Sequence, residues 1–349
     1  MPKRESFSVQ SQYEDRHSDR DSSSREKAPI LPLSISDTKK EVVLEGNSVY
    51  AASMSLLMYS VFSVSMVLSN KAIGYTVDPS LRSKMPQISV VLYQNVLAVV
   101  LVEVAKYLKF IDYPDFQLSV AYAWLPMNAL FVSMLCSGFL ALFYVNVPMV
   151  QTFKNLTNII TVFGDWYFFG ETVTPLSIIS IFIMTIGAVF AGVNDLQFSI
   201  VGYFWMTMNC LSTAAYTLYM RYASRNIKIP RMGMIFYNNT LSVIFLLPMI
   251  FLCGEIPSLM DPNIMSIKFI SMNTLAGMLG AGLNFASLWC VSATSATTYA
   301  IVGTLNKIPV TILGFTLFDT AVTQEGLIFI GMASVGGILY GWSKLPKRK

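Results

Sequence analysis

Apolar stretches about as long as a bilayer is thick recur almost without pause from Val49 onward. A membrane-spanning helix needs about 20 mostly apolar residues, and a helix satisfies its own backbone hydrogen bonds where no water is present. The sequence therefore predicts an all-α membrane protein with ten transmembrane helices. Very short loops join the third to the fourth span and the eighth to the ninth, which leaves nine spans as the alternative. The predicted spans are residues 49–73, 88–108, 121–143, 147–169, 174–193, 200–222, 233–253, 269–290, 295–317 and 325–342.

The composition agrees with a lipid environment. Of the 349 residues, 54% are hydrophobic and 13% are charged, with a mean hydropathy of +0.55, whereas soluble domains carry about 25% charged residues. The single histidine, His17, lies in a polar segment, and the four cysteines show no CxxC spacing. Histidine catalysis and zinc or redox sites therefore find no support. We expect no cofactor and no enzymatic activity.

The polar ends of the chain are expected to flank the membrane domain. Residues 1–48 are rich in Ser, Asp, Glu, Arg and Lys and contain neither an apolar core nor a signal peptide. This composition predicts a disordered cytosolic tail. Residues 49–342 form the predicted ten-helix transporter domain, and residues 343–349 form a basic cytosolic tail.

The distribution of basic residues predicts the orientation of the spans. If both termini face the cytosol, most of the basic residues at the span ends, in the short loops and in the C-terminal tail lie on that side, as the positive-inside rule requires. The net charge of +4 then needs no nucleic-acid partner, and the final KLPKRK is a cluster that flanks the membrane lipids. The cytosolic set is Lys106, Lys109, Arg221, Arg225, Lys228, Arg231, Lys344, Lys347, Arg348 and Lys349, against Arg82, Lys84 and Lys268 on the other side.

Charged residues inside the predicted spans are the candidates for function, because a charge in the membrane is costly. Lys71, Glu103 and Asp165 lie near span ends, where their side chains could instead reach the interface. Lys154 and Lys307 lie beside amides, in FKNLTN (153–158) and TLNKIP (304–309). We expect both of these lysines to face a cavity.

Two pairs of similar segments indicate an internal repeat. FKNLTN and TLNKIP fall on spans four and nine, and Leu-Tyr-Gln-Asn (92–95) in span two matches Phe-Tyr-Asn-Asn (236–239) in span seven. Both matches are five spans apart, which predicts two five-helix repeats. Because five is odd, the second repeat is inverted, with the substrate site near the midplane between them.

The predicted cavity combines cations, amides and tyrosines. Lysines provide charges for phosphate, and asparagines provide paired donors and acceptors. A phosphorylated, hydroxyl-rich solute fits best, although a nucleotide sugar and a sugar phosphate are not distinguished at this point. The sequence has no GxxxxGK[ST] motif, so gradients or exchange must drive transport. Small-residue pairs such as Gly337-xxx-Gly341 indicate close packing within one bundle, with a homodimer interface as the alternative.

Several motifs resemble those of the Golgi GDP-mannose transporters of the drug/metabolite transporter superfamily. Residues 236–239 read FYNN and residues 303–307 read GTLNK, similar to that family's FYNN and GALNK motifs. The segments SNK (69–71), VPMVQTFKNLTN (147–158) and VGYFWMTMNC (201–210) are also similar. The resemblance covers nearly everything after residue 49. It implies a ten-helix Golgi membrane protein that exchanges cytosolic GDP-mannose for lumenal GMP.

The resemblance also implies a set of substrate-binding residues. The FYNN amides would read guanine, the GTLNK segment would lie along the ribose and diphosphate, and Lys307 would face phosphate. Tyr59, Asn209 and Tyr299 would surround ribose and sugar. The assigned residues are Tyr59, Lys154, Asn209, Phe236, Tyr237, Asn238, Asn239, Asn284, Tyr299, Gly303, Thr304, Leu305, Asn306 and Lys307.

Three departures from the family pattern keep alternatives open. Thr304 replaces the usual alanine, Val150 stands where a tyrosine is expected near the sugar, and Asn284 stands where a serine is expected near the base. GDP-fucose and GDP-arabinose therefore remain alternative substrates, and a sugar-phosphate or metabolite exporter of the same superfamily is a further alternative. An integral membrane glycosyltransferase is disfavoured, because the sequence lacks acidic metal ligands at a membrane edge and a sizeable lumenal loop.

Overall fold

The described part of the protein consists of helices and the turns between them. The computed structural model describes residues 49–226, 229–294, 296–318 and 320–343, and no strand occurs among them. The predicted tail 1–48 and residues 344–349 lie outside the described residues. The helices are α1 (Val49–Ile73), α2 (Gln87–Tyr107), α3 (Leu118–Tyr144), α4 (Val147–Lys154), α5 (Thr157–Phe169), α6 (Pro175–Val193), α7 (Ile200–Asn226), α8 (Arg231–Leu252), α9 (Ile256–Leu259), α10 (Ile267–Ala293), α11 (Ala296–Leu305), α12 (Lys307–Leu317) and α13 (Gln324–Ser343).

Seven of the described helices are long and apolar enough to cross a membrane, namely α1, α2, α3, α6, α8, α10 and α13. The all-α prediction is thereby confirmed, and the protein is a multi-pass membrane protein. Predicted spans four and nine differ from expectation, since each is divided into two helices, α4 with α5 and α11 with α12. The ten-span count and its two-repeat arrangement stay predictions.

The two interruptions have local causes. Between α4 and α5 the chain turns at Asn155 and Leu156, whose N–H groups donate to carbonyls three residues back instead of four, which tightens the helix locally. Between α11 and α12, Pro309 lies in the first turn of α12. Proline has no N–H to donate to Leu305, so the continuous ladder of hydrogen bonds ends there. Both interruptions therefore lie beside the lysines that the sequence singled out.

Capping residues set the other helix ends that surround the site. The Asn146 Oδ1 atom accepts a hydrogen bond of 2.9 Å from the N–H of Met149 at the start of α4, and Thr174 caps α6 in the same way through the N–H of Ser177. Both satisfy N–H groups that lack a partner within the helix. Gly170 ends α5 with a φ of +66°, a conformation that favours glycine.

The distribution of polarity is the reverse of that in a soluble protein. Large apolar side chains such as Phe182, Ile244 and Leu327 are exposed, whereas amides such as Asn95, Asn128 and Asn209 are buried. An exposed apolar surface of this extent is suited to lipid. The buried amides place the polar chemistry inside the helix bundle.

Helices from the first part of the chain pack mainly against helices from the second part. Helix α1 packs against α10, α2 against α8, α3 against α7, and α6 against α13, while α4 contacts α12. Two further contacts, α2 with α10 and α3 with α8, join the same groups of helices. These contacts bring the interrupted helices and the amide-bearing helices α2 and α8 into one interior.

The three charged residues near span ends have different environments. Lys71 is buried, and its Nζ atom donates hydrogen bonds of 2.7 Å to the carbonyls of Leu142 and Val145. Its ammonium group therefore caps the end of α3, where carbonyls lack partners within the helix. Asp165 pairs with Arg221 at 2.7 Å, and Glu103 is exposed and accepts a hydrogen bond from the Tyr113 hydroxyl.

Candidate functional site

A cavity of about 550 Å³ lies between the two interrupted helices and their neighbours. It is lined by residues of α1, α2, α3, α4, α5, α7, α10 and α12. Lys154 and Lys307 are the only charged side chains among the described lining residues, and no acidic residue lines it. The polar lining residues are Ser63, Asn70, Gln94, Asn95, Lys154, Thr157, Asn158, Thr161, Asn209, Thr213, Thr217 and Lys307.

The two lysines of this cavity have different partners. The Lys307 Nζ atom donates a hydrogen bond of 2.7 Å to the Asn155 Oδ1 atom, and the Asn155 Nδ2 atom in turn donates to the carbonyl of Ala333 at 3.2 Å. Lys154 makes no hydrogen bond or ion pair with any residue that the structure describes. Both ammonium groups are therefore available to an anion, and neither is neutralised by a carboxylate.

Asn209 lines the same cavity from α7 and is almost fully buried. Its Nδ2 atom donates to the carbonyl of Met134 at 2.8 Å and to the Ser137 hydroxyl at 3.5 Å. The amide is thus held in one orientation by α3. No described residue donates to its Oδ1 atom, which leaves a fixed acceptor at the cavity wall.

A second, smaller cavity of about 220 Å³ adjoins the first. Asn238 and Asn239 of α8 and Asn284 of α10 line it. The two cavities share five lining residues, Met66, Gln94, Asn95, Leu135 and Leu283. The smaller cavity, the amide compartment, therefore adjoins the large cavity, which contains the two lysines.

The two FYNN amides are not equivalent. Both polar atoms of the Asn238 side chain are used within the protein, since Oδ1 accepts from Trp124 Nε1 at 2.8 Å and Nδ2 donates to the Tyr216 hydroxyl at 3.1 Å. The Asn239 Nδ2 atom donates to the carbonyl of Ile235, one turn earlier, at 2.8 Å. Asn239 Oδ1 has no partner among the described residues, so it is the acceptor that α8 offers to a ligand.

Comparison with known proteins assigns the chain to a family. Residues 50–341 match the triose-phosphate transporter family. The chain belongs to this family. A GDP-mannose transporter of Arabidopsis thaliana, GONST1, is 33% identical over 85% of this chain and 90% of its own length. A GDP-mannose transporter of Schizosaccharomyces pombe is 30% identical over 85% of this chain and 88% of its own length. The resemblance found in the motifs is thereby confirmed.

Family membership makes the protein a transporter and not an enzyme. The described residues contain no group of three or more His, Cys, Asp and Glu side chains that could hold a metal ion. The polar groups that line this transporter's cavities include amides, which form hydrogen bonds, and two lysines, which carry positive charge.

Part of the predicted site lies outside the two cavities of this transporter. Phe236 and Tyr237 are buried, and the Tyr237 hydroxyl accepts a hydrogen bond of 2.8 Å from the N–H of Gln117. The Tyr59 and Tyr299 rings pack together with centroids 4.6 Å apart. Within GTLNK, Asn306 is buried and Leu305 is exposed, and neither lines either of these two cavities. Gly303 packs against Tyr59, and Thr304 lies near Gly341.

Several cavity residues of this transporter were missed by the assignment from motifs. Asn70 and Gln94 line the large cavity and are joined, since Gln94 Nε2 donates to Asn70 Oδ1 at 2.9 Å and to Asn273 Oδ1 at 3.0 Å. Asn95 lines both cavities. The signal for Gln94 and Asn95 was present in the repeat match of LYQN with FYNN, although it was used there only to infer symmetry.

Proposed function

We propose that this protein is an antiporter that carries GDP-mannose into the Golgi lumen in exchange for GMP. The proposal extends the substrate named for the Arabidopsis and fungal relatives to this chain. In this arrangement both termini face the cytosol, and residues 49–342 form ten spans in two inverted repeats.

The observation that carries the proposal is a pair of lysines in a cavity that has no acidic side chain among its described lining residues. Lys154 and Lys307 share one compartment that no described carboxylate enters. Two half-buried cations that line one cavity repel each other, so an anion with more than one charge is the matching ligand. The diphosphate of a nucleotide sugar provides such charges at neutral pH.

The adjoining amide compartment supports a guanine base. Guanine presents donors at N1 and N2 and an acceptor at O6 on one edge. The free Asn239 Oδ1 atom is an acceptor for those donors, while Asn284 has no described partner and can offer its amide N–H groups to O6. Uracil and adenine reverse part of this pattern and would leave buried polar groups unpaired.

The pairing of helices supports the two inverted repeats. In the proposed correspondence, α1, α2 and α3 match α7, α8 and α10. The interrupted pair α4 and α5 matches α11 and α12, and α6 matches α13. When the two repeats exchange places, the contact of α3 with α7 becomes the contact of α10 with α1. The exchange leaves α2 with α8 and α6 with α13 unchanged as pairs. It also converts α3–α8 into α10–α2. Such an exchange is typical of transporters built from repeats around a central site.

The acid-free cavity also explains exchange. An empty site leaves two cations without counter-charge during reorientation, which is costly in a low-dielectric interior. Bound GMP or GDP-mannose neutralises them and lowers that cost. The loaded transporter therefore reorients faster than the empty one, and entry of one nucleotide is coupled to exit of the other.

Uptake into proteoliposomes tests this function. Purified protein is reconstituted in vesicles preloaded with GMP, preloaded with UMP or empty, and entry of labelled GDP-mannose, UDP-galactose and glucose 6-phosphate is measured. We expect GDP-mannose to enter, with strong stimulation by internal GMP only. Equal entry into empty and GMP-loaded vesicles would refute exchange, and preferred entry of glucose 6-phosphate would favour a sugar-phosphate exporter.

A second GDP-sugar remains an alternative because of one observation at the cavity wall. Val150 lines the large cavity and is almost fully buried, where the family pattern has a tyrosine. Valine cannot donate a hydrogen bond to a sugar hydroxyl. GDP-fucose and GDP-arabinose, which present fewer or differently placed hydroxyls, belong in the same uptake panel, and a preference for either would reassign the sugar while leaving the guanine site in place.

A further inference from the structure

Asn95 occupies the boundary between the two cavities. It lines both of them, and only 4% of its surface is exposed. Only four other described residues, Met66, Gln94, Leu135 and Leu283, line both cavities, and three of these are apolar. Gln94 is already engaged with Asn70 and Asn273. Asn95 is therefore the amide best placed to contact a ligand that extends from one cavity into the other.

The orientation of the Asn95 amide is set by its own helix. The Nδ2 atom donates a hydrogen bond of 2.8 Å to the carbonyl of Val91, one turn earlier in α2. This carbonyl accepts but does not donate, so the amide nitrogen must face it and Oδ1 must point away. The Asn95 Oδ1 atom is buried and has no hydrogen-bond partner among the described residues. A buried acceptor without a donor is uncommon and destabilising, which indicates that a ligand supplies the donor.

The same geometry occurs at Asn239. Its Nδ2 atom donates to the carbonyl of Ile235, also four residues earlier and also at 2.8 Å. Asn95 and Asn239 are the last residues of the matching LYQN and FYNN segments. Both helices thus fix an amide oxygen at a residue of the smaller cavity, but Asn239 lines that cavity alone, whereas Asn95 also lines the cavity that contains the lysines.

We propose that Asn95 Oδ1 accepts a hydrogen bond from a ribose hydroxyl of the bound nucleotide and makes the transporter selective for ribonucleotides. The inference rests on the proposed function, in which the base occupies the amide compartment and the phosphates lie near Lys154 and Lys307. Ribose is the part of a nucleotide that joins base to phosphate, so it must cross the boundary where Asn95 lies. Its hydroxyls are the donors available at that point.

Competition by modified nucleotides tests this assignment. Entry of labelled GDP-mannose into GMP-loaded vesicles is inhibited with external GMP, 2′-deoxy-GMP, 3′-deoxy-GMP or IMP, which lacks the guanine N2 amine. In the wild type, we expect at least one deoxy nucleotide to inhibit about five- to tenfold less well than GMP, the factor that one hydrogen bond contributes. Asn95→Leu, which nearly keeps the side-chain volume, and Asn95→Ala should both abolish that difference while keeping the difference between GMP and IMP.

Thr240→Val is the matched control. The Thr240 Oγ1 atom is also buried without a described partner, but Thr240 lines neither cavity. This variant should retain the wild-type preference for GMP over the deoxy nucleotides. Each preference is a ratio measured within one variant, so lower expression does not change it.

Three results would overturn the inference. Equal inhibition of the wild type by GMP and both deoxy nucleotides excludes a ribose contact without the use of any variant. Asn95 variants that retain the ribose preference would remove Asn95 from the contact. Loss of the preference for GMP over IMP in these variants would place Asn95 at the base instead. If GMP itself fails to inhibit the wild type, the proposed function fails, which is a separate outcome from the other three.

Discussion

Lys307 and Asn155 are joined by a hydrogen bond of 2.7 Å that connects the interruptions of two different helices. Lys307 begins α12 and Asn155 follows the end of α4, 152 residues apart in sequence. Because the acceptor is a neutral amide, the bond orients the ammonium group without neutralising it. The cation therefore stays available to a phosphate in the adjacent cavity.

Removing the Lys307 charge should abolish exchange. In Lys307→Ala, internal GMP should no longer stimulate entry of GDP-mannose, and the exchange rate should fall at least about tenfold, the effect of losing one charge-assisted contact. Uptake into GMP-loaded and empty vesicles measures this. Lys268→Ala, which removes an exposed lysine of α10 outside both cavities, is the control and should behave as the wild type. An active Lys307→Ala transporter would exclude this lysine from the mechanism.

The two FYNN amides should differ in what they contribute. Asn239→Ala removes the free acceptor and should lower the preference for guanine over uracil nucleotides, with a loss of about 1–2 kcal/mol of binding free energy. Asn238→Ala should additionally lower the thermal unfolding midpoint, because the Trp124 Nε1 donor loses its partner. Nucleotide competition and unfolding in detergent separate the two effects. Equal unfolding midpoints for the two variants would contradict the distinction.

Lys71 should contribute to stability. In Lys71→Met, the carbonyls of Leu142 and Val145 lose their donor, and the free energy of unfolding should fall by about 2–3 kcal/mol. The thermal unfolding midpoint in detergent measures this. Lys71→Arg keeps the charge and donors and should be closer to the wild type. Lys84→Met, at an exposed position, should change the midpoint little, and an unchanged midpoint in Lys71→Met would contradict the capping role.

A close contact between Gly303 and Tyr59 predicts a rescue. A Cβ atom at position 303 would lie 2.8 Å from the Tyr59 hydroxyl oxygen, while the next nearest atom, Tyr59 Cζ, is 3.9 Å away. Gly303→Ala should therefore destabilise the protein by about 1–3 kcal/mol through overpacking. Adding Tyr59→Phe removes the oxygen and should restore most of the unfolding midpoint, with Tyr59→Phe alone as reference. Absence of any rescue would show that the contact does not explain the glycine.

Tag accessibility tests the orientation. Epitope tags at Met1 and Lys349 should both react from the cytosol without permeabilisation of internal membranes, whereas a tag within residues 255–265 should be protected. The expectation follows from the distribution of basic residues. A protected C-terminus together with an accessible N-terminus would exclude an even number of spans.

The sequence by itself determined the class of protein, the approximate positions of the helices and the two lysine-containing segments. Apolar length and the cost of a buried charge are local properties, which a single sequence displays directly. The FYNN and GTLNK motifs likewise gave the family before any contact was known.

Only the tertiary structure decided which faces of the helices meet. In the folded protein the Asn238 amide forms hydrogen bonds with Trp124 and Tyr216. The Lys71 ammonium group donates to a carbonyl at the end of α3, and Asn95 lines both cavities. In an apolar helix all sides look alike in sequence, because lipid and core favour the same residues. Whether an amide faces a neighbour or a cavity therefore depends on packing between helices that are distant in the chain.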